Sequence, residues 1–273
     1  MKLQKIGIGI GIGIGMVVLL AVVLSGCQTL PERSDAIYQV SLLNALMLGD
    51  YEGSVSISTL LEHGDTGIGT FDRLDGEMVV LDGIVYQIKS DGKVYLKGPA
   101  DLTPFAAVTF FDHEFEDQAL AGVNDVGALK SRLDEAIIQE QGDFNRFYVA
   151  KLEGAFSMVH VRSVPPQDKP FRPLAEIAKT QPEFRYSDVQ GTIIALRCPD
   201  YVEGMNLPGW HLHFLSADKT LGGHLLDITL ISGTLALDMV DEFQLILPHS
   251  ELFPNLTLHT NLSTATTAVE GKK

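Results

Sequence analysis

The chain has 273 residues, 45% of them hydrophobic and 20% charged, which is enough to build a large core and too apolar for a disordered chain. Its 35 acidic and 20 basic residues leave a net charge of −15. That balance argues against nucleic acid or an anionic membrane surface as a partner of the folded part, so an anionic substrate has to be held by local cations.

Lys2 and Lys5 form a short basic head, after which residues 6–24 run uncharged over a length that can span a bilayer. Residues 1–27 read as a signal peptide with a lipobox or as a membrane anchor. Leu24-Ser25-Gly26-Cys27 resembles the lipobox of bacterial lipoproteins, where cleavage leaves the cysteine as a lipid-bearing N-terminus. It implies export to the cell envelope and anchoring through Cys27. The Ile-Gly alternation from Ile6 to Gly15 makes a mediocre helix but stays apolar enough for export. An acylated Cys27 leaves Cys198 without a disulfide partner, so the fold rests on its core.

Ser34 can cap a helix running to Gly49, because Ile37, Val40, Leu43, Leu46 and Met47 recur at helical spacing. Asp75-Gly76, Asp82-Gly83 and Asp91-Gly92 then punctuate β-branched runs as hairpin turns do, predicting strands at 77–81, 84–89, 93–97 and 105–111. A helix near 125–140 puts Val126, Leu129, Leu133 and Ile137 on one face, and strands at 147–152 and 155–163 follow. Four prolines from Pro165 to Pro173 remove backbone donors within a short stretch, which predicts a domain boundary. The division is an N-terminal mixed-sheet domain over 34–165 and a C-terminal metal-binding β-rich domain with tail over 166–273. The second part carries a short helix near 174–180, strands near 190–197, 210–215, 224–231 and 242–247, and a polar tail from 257. The fold class is α/β in the mixed α+β sense, with two β-rich parts.

Chemistry concentrates in Gly209-Trp210-His211-Leu212-His213-Phe214 and Gly222-Gly223-His224. Residues i and i+2 of a strand face one way, so His211 and His213 project together while Leu212 and Phe214 turn to the core. The polar turn from Ser216 to Gly223 predicts a hairpin that returns His224 to the pair. Three neutral imidazoles at one point suit zinc with an open position for water or substrate. A hydrogen-bonded surface cluster is the competing reading. His63, His113, His160, His249 and His259 read as structural or exposed.

The histidine segment follows Leu46-Met47-Leu48-Gly49-Asp50-Tyr51-Glu52-Gly53, Leu74-Asp75-Gly76-Glu77-Met78 and Thr103-Pro104-Phe105-Ala106. As a set, from about Ile37 to the C-terminus, these motifs resemble the bacterial α-acetolactate decarboxylase family. The resemblance implies zinc-dependent decarboxylation of (S)-2-acetolactate to acetoin and carbon dioxide, in acetoin and butanediol formation. It implies zinc on His211, His213 and His224, with Glu77, Arg162 and Glu270 completing the site. It also implies an N-terminal mixed sheet with helices, a smaller C-terminal sheet carrying the histidines, a site between them and a homodimer. Read without the resemblance, Glu77 is a strand-start carboxylate, Arg162 a surface strand residue and Glu270 part of a disordered tail. Two other readings stay open. A cupin-like metal protein would need a glutamate a few residues after the histidine pair, where Asp218 lies in the neighbourhood instead. A lipid-anchored module could bind a small hydroxy acid without turning it over.

Overall fold

Sheets dominate the computed structural model of this chain, which describes residues 35–270. The expected leader or anchor over 1–27, including Cys27, lies outside the described residues. The first half runs through β1 (Ala36–Val40), α1 (Leu43–Met47), β2 (Val55–Ser56), α2 (Ile57–Leu61) and β3 (Thr66–Thr70). A meander follows, with β4 (Glu77–Leu81), β5 (Ile84–Ile88), β6 (Val94–Leu96), β7 (Leu102–Thr103) and β8 (Ala106–Thr109). Next come β9 (Gln118–Val123), α3 (Val126–Gln139), β10 (Phe147–Arg162), α4 (Leu174–Ile177) and β11 (Glu183–Cys198). The chain closes with β12 (Gly209–Ser216), β13 (Gly222–Val240), β14 (Glu242–Ile246) and α5 (Ser263–Glu270).

Seven strands form one sheet in the order β14-β1-β8-β3-β4-β5-β6, antiparallel except for the β1–β14 pair. Its β4–β5 hairpin turns on Asp82-Gly83, both at positive φ (52° and 74°), the conformation that makes Asp-Gly a hairpin signal. Five strands form the second sheet in the order β10-β11-β12-β13-β9. Because β10 also pairs with β13, the pairings of β10, β11, β12 and β13 close on themselves. Apolar side chains from both sheets meet between them, with Ile37, Ile68 and Val79 from the first and Val149, Ile194 and Leu215 from the second. The other side of the second sheet packs on α3 through Leu129, Leu133 and Ile137, the helix face expected from the sequence.

Three sequence expectations change. The helix over 34–49 is instead β1 followed by the short α1, with a break at Ser41, whose φ is +63°. All five residues of β1 are buried, Ile37 in the layer between the sheets and Tyr38 and Val40 on the opposite side. A strand covered on both faces has no polar alternation, and its apolar run coincided with helical spacing. The strands at 147–152 and 155–163 are one strand, β10, carried past Gly154. Gly154 stands opposite Gly191 of β11 and Gly233 of β13, so three glycines lie in a row where the backbones approach. A Cβ on Gly154 would sit 2.8 Å from the Ser232 carbonyl oxygen.

The proline segment is the third correction, because it does not divide the structure. β10 before it pairs along its length with β11 after it, and β14 returns to pair with β1. The two β-rich parts therefore do not correspond to the two sheets: each sheet takes strands from both sides of the proline segment, within one compact unit. The Arg73 carbonyl accepts from the Gln167 N–H at 2.8 Å, and Arg73 Nε donates to the Gln167 carbonyl at 2.9 Å. These bonds hold the prolines against the turn before β4.

Asp238 of β13 is fully buried, with one carboxylate oxygen accepting from the Asp112 N–H at 3.3 Å and the other unpartnered. Burial, with Asp35, Glu114 and Asp112 nearby, pushes its carboxyl up to about 7. The native state thus keeps a proton that the unfolded chain releases near 3.8, so this group weakens the fold as pH rises from about 4 to about 7. Asp238→Asn is expected to raise Tm at pH 8 through roughly 1–3 kcal/mol of added stability, with a much smaller gain at pH 4. A pH-independent difference in thermal melts would remove this assignment.

Candidate metal centre

The histidines are brought together by backbone pairing. His211 and His213 lie two residues apart on β12 and share a face, and the turn after Ser216 returns β13 so that His224 stands directly opposite His213. On its other edge β13 pairs with β10, and there His224 stands opposite Arg162. His213, His224 and Arg162 therefore form one row across three adjacent strands. Trp210 anchors the row from behind, its Nε1 donating to Asp134 of α3 at 2.8 Å.

The three imidazoles have ring centres 4.9 to 5.3 Å apart, and each offers a ring nitrogen within 4.8 Å of the others. His213 Nδ1 donates to the Met78 carbonyl at 2.8 Å, which turns its Nε2 lone pair toward the cluster. That Nε2 is buried and unpartnered, as is Oε2 of Glu270. Burial, reinforced by the Arg162 charge, pushes His211 and His213 down to about 3 and His224 well below its ordinary value. Near neutral pH all three are uncharged, the form that binds a metal.

Charged groups surround the triad. Glu77, at the start of β4 in the other sheet, places Oε2 3.6 Å from His213 Nε2. Glu270, at the end of α5, places Oε2 3.5 Å from His211 Nε2 and 3.6 Å from His224 Nε2. Its Oε1 lies 3.6 Å from Arg162 Nη2. Burial pushes the Glu77 carboxyl up to about 7, with Arg162 opposing and Glu270 reinforcing the rise. All six residues expected at the site line one cavity of about 40 Å³. Its apolar wall includes Leu43 and Leu46 from α1, Leu174 from α4 and Phe105.

This donor set fits a zinc ion: three neutral imidazoles, of which His211 Nε2 and His224 Nδ1 lie 3.0 Å apart, two nearby carboxylates, and the unpartnered His213 Nε2 and Glu270 Oε2. Among the described residues no other group of three histidine, cysteine or acidic side chains has this geometry. Of the remaining histidines, His63 stacks on Tyr38, His113 meets Asp117 at 2.8 Å and His160 meets Glu183 at 2.9 Å. Glu270 sits on a helix in a stretch expected to be a polar tail. Ser263–Glu270 forms α5 because Thr266 and Val269, three residues apart, face inward, with Val269 packed beside α1 and α4.

Residues 37–260 match the family described as alpha-acetolactate decarboxylase. The chain belongs to that family. An alpha-acetolactate decarboxylase of Methanosarcina mazei is 44% identical over 229 residues, covering 84% of this chain and 78% of the relative. One from Methylococcus capsulatus is 40% identical, covering 82% and 85% respectively. The crystal structure of alpha-acetolactate decarboxylase from Bacillus subtilis superposes with a TM-score of 0.82 at 32% identity, covering 87% of this chain and all of that one. The mixed, sheet-rich fold expected from the sequence is thus the fold of this family.

Sequence reasoning missed Gln181, whose side chain holds Arg162, and the apolar wall contributed by α1 and α4. Nothing in the local pattern around Leu43, Leu46 or Leu174 distinguishes a cavity wall from ordinary core.

Proposed function

We propose that this protein decarboxylates 2-acetolactate to acetoin and carbon dioxide, using zinc on His211, His213 and His224. What carries the reading is the uncharged imidazole triad, with His213 and His224 buried, sharing one cavity with a single arginine and two carboxylates, in a chain of this family. Zinc held by His211, His213 and His224 would supply Lewis acidity that stabilises developing negative charge, which makes an organic cofactor unnecessary.

Arg162 orients the anionic substrate and offsets its negative charge within an acidic protein. The bond to the carboxylate breaks, carbon dioxide leaves, and the electron pair passes into the neighbouring carbonyl to give an enediolate. Glu270 accepts the hydroxyl proton while that bond breaks and returns it to the same oxygen once the carbon is protonated, and water reprotonates Glu77 after turnover. Glu77 is the group that burial keeps protonated toward neutrality, and it delivers a proton to the carbon that lost carbon dioxide. Delivery from one side yields a single acetoin enantiomer. Arg162→Lys is expected to lower kcat/KM sharply, since a point charge on a flexible stem does not reproduce a planar fork. A near-wild-type value would make Arg162 structural.

The reading is tested by acetoin formation from racemic acetolactate, before and after a chelator removes metal and zinc is restored. Activity that disappears and returns supports it, and folded, zinc-loaded protein that forms no acetoin sinks it. Export and lipid anchoring through Cys27 belong to the same proposal, supported by the Leu24-Ser25-Gly26-Cys27 resemblance. Cys27→Ala should abolish incorporation of labelled fatty acid, and unchanged labelling would overturn that part. The homodimer is proposed with them, its check being sedimentation equilibrium.

A further inference from the structure

Arg162 is the cation of the cavity, and it is almost wholly buried at 3% exposure. Among the described residues its guanidinium makes one hydrogen bond, from Nη1 to Oε1 of Gln181 at 2.8 Å. Its Nε is buried without a partner, and its Nη2 stands at 3.6 Å from Glu270, beyond hydrogen-bond reach. Gln181 is itself held in place. It precedes Pro182, which disfavours helical backbone at the residue before it, and it has extended ψ of 143°. The Pro182 carbonyl accepts from the Ser163 N–H at 3.2 Å, and the next residue, Glu183, pairs with Arg162 in the β10–β11 ladder. The backbone that carries the amide therefore belongs to the same frame as the arginine it holds.

We propose that Gln181 is a positioning residue that fixes the Arg162 guanidinium through a neutral acceptor, keeping its charge and remaining donors available to the substrate's carboxylate; this rests on the decarboxylase reading. The alternative partner is Glu270, already nearby. Without the amide, the guanidinium closes a fork onto that carboxylate, and both the arginine's charge and the glutamate's proton-accepting oxygen are consumed. A carboxylate at position 181 would hold the arginine as firmly but neutralise it. The neutral amide does the one without the other.

The test compares zinc-loaded wild-type chain with Gln181→Leu and Gln181→Glu. Gln181→Leu is expected to lower kcat/KM roughly 10- to 100-fold, the scale of a hydrogen bond to a charged group, with zinc content and Tm unchanged. Gln181→Glu is expected to act mainly by raising KM. In an Arg162→Met background Gln181→Leu should have no further effect, because its role passes through the arginine. An equal loss in that background, or wild-type kinetics for Gln181→Leu, overturns the proposal. Calorimetric binding of 2-hydroxy-2-methylpropanoate gives a second readout that needs no turnover. Weaker binding by Gln181→Leu supports positioning, and equal affinity overturns it. Wild-type protein that forms no acetoin overturns the decarboxylase reading instead, and the binding comparison still decides on Gln181.

Discussion

Replacing His213 with alanine is expected to remove bound zinc and to lower kcat/KM by roughly 10³-fold or more, about 4 kcal/mol of barrier at 1.36 kcal/mol per tenfold. Of the three histidines it is the most constrained: 1% exposed, with Nδ1 donating to the Met78 carbonyl and Nε2 aimed into the triad. Alanine deletes one of the three proposed ligands and strands that carbonyl, so some stability is lost as well. Atomic absorption on the variant separates the effects, since the metal should be lost from protein that still gives the wild-type circular dichroism spectrum. His63→Ala is the control, because His63 stacks on Tyr38 and lines no part of the cavity. Zinc retained at full stoichiometry together with full activity in His213→Ala would break the assignment of the triad.

Ending the chain after Leu262 deletes α5 and is expected to lower kcat by roughly 10²- to 10⁴-fold, the range for losing a positioned proton-transfer group. Stability should fall less, because Val269 is the one fully buried apolar side chain that α5 contributes, worth about 1.5–3 kcal/mol. Glu270→Gln in the full chain isolates the chemistry and should give most of the kcat loss with no change in Tm. Acetoin formation at the wild-type rate in the truncated chain would take Glu270 out of the site.

What the sequence made legible follows from how local each signal is. The strands expected at 77–81 and 84–89 and the helix expected near 125–140 are found at 77–81, 84–88 and 126–139, because a hairpin turn, a cap or an amphipathic face declares itself within a few residues. β1 was not, since a strand buried on both faces carries no alternation, and its place between β14 and β8 is decided by segments far along the chain. The histidines were legible for the same local reason: two on a strand and one across a short hairpin. Glu77, Arg162 and Glu270 carry no such mark and were found only through motifs shared with a family. Each reaches the cavity from a different element, so long-range packing alone makes them neighbours. Gln181 had one local clue, the proline after it, which restricts its backbone but says nothing about which side chain it holds.

The row of His213, His224 and Arg162 has a consequence for how such a site can vary. Adjacent strands are spaced at about 4.8 Å by their hydrogen bonds, so the backbone interval from the histidines to the arginine is a repeat distance of the sheet rather than an adjustable length. No loop can lengthen it, and a one-residue slip of any one of the three strands would turn that strand's member of the row to the opposite face. The apolar wall has no such restriction, because Leu43, Leu46 and Leu174 stand on short helices outside the ladder. Under the proposed function, reactivity and substrate size fall to separate parts of the chain. A redesign for a bulkier acid has its freedom in those three leucines, with the interatomic spacing of the reaction left untouched.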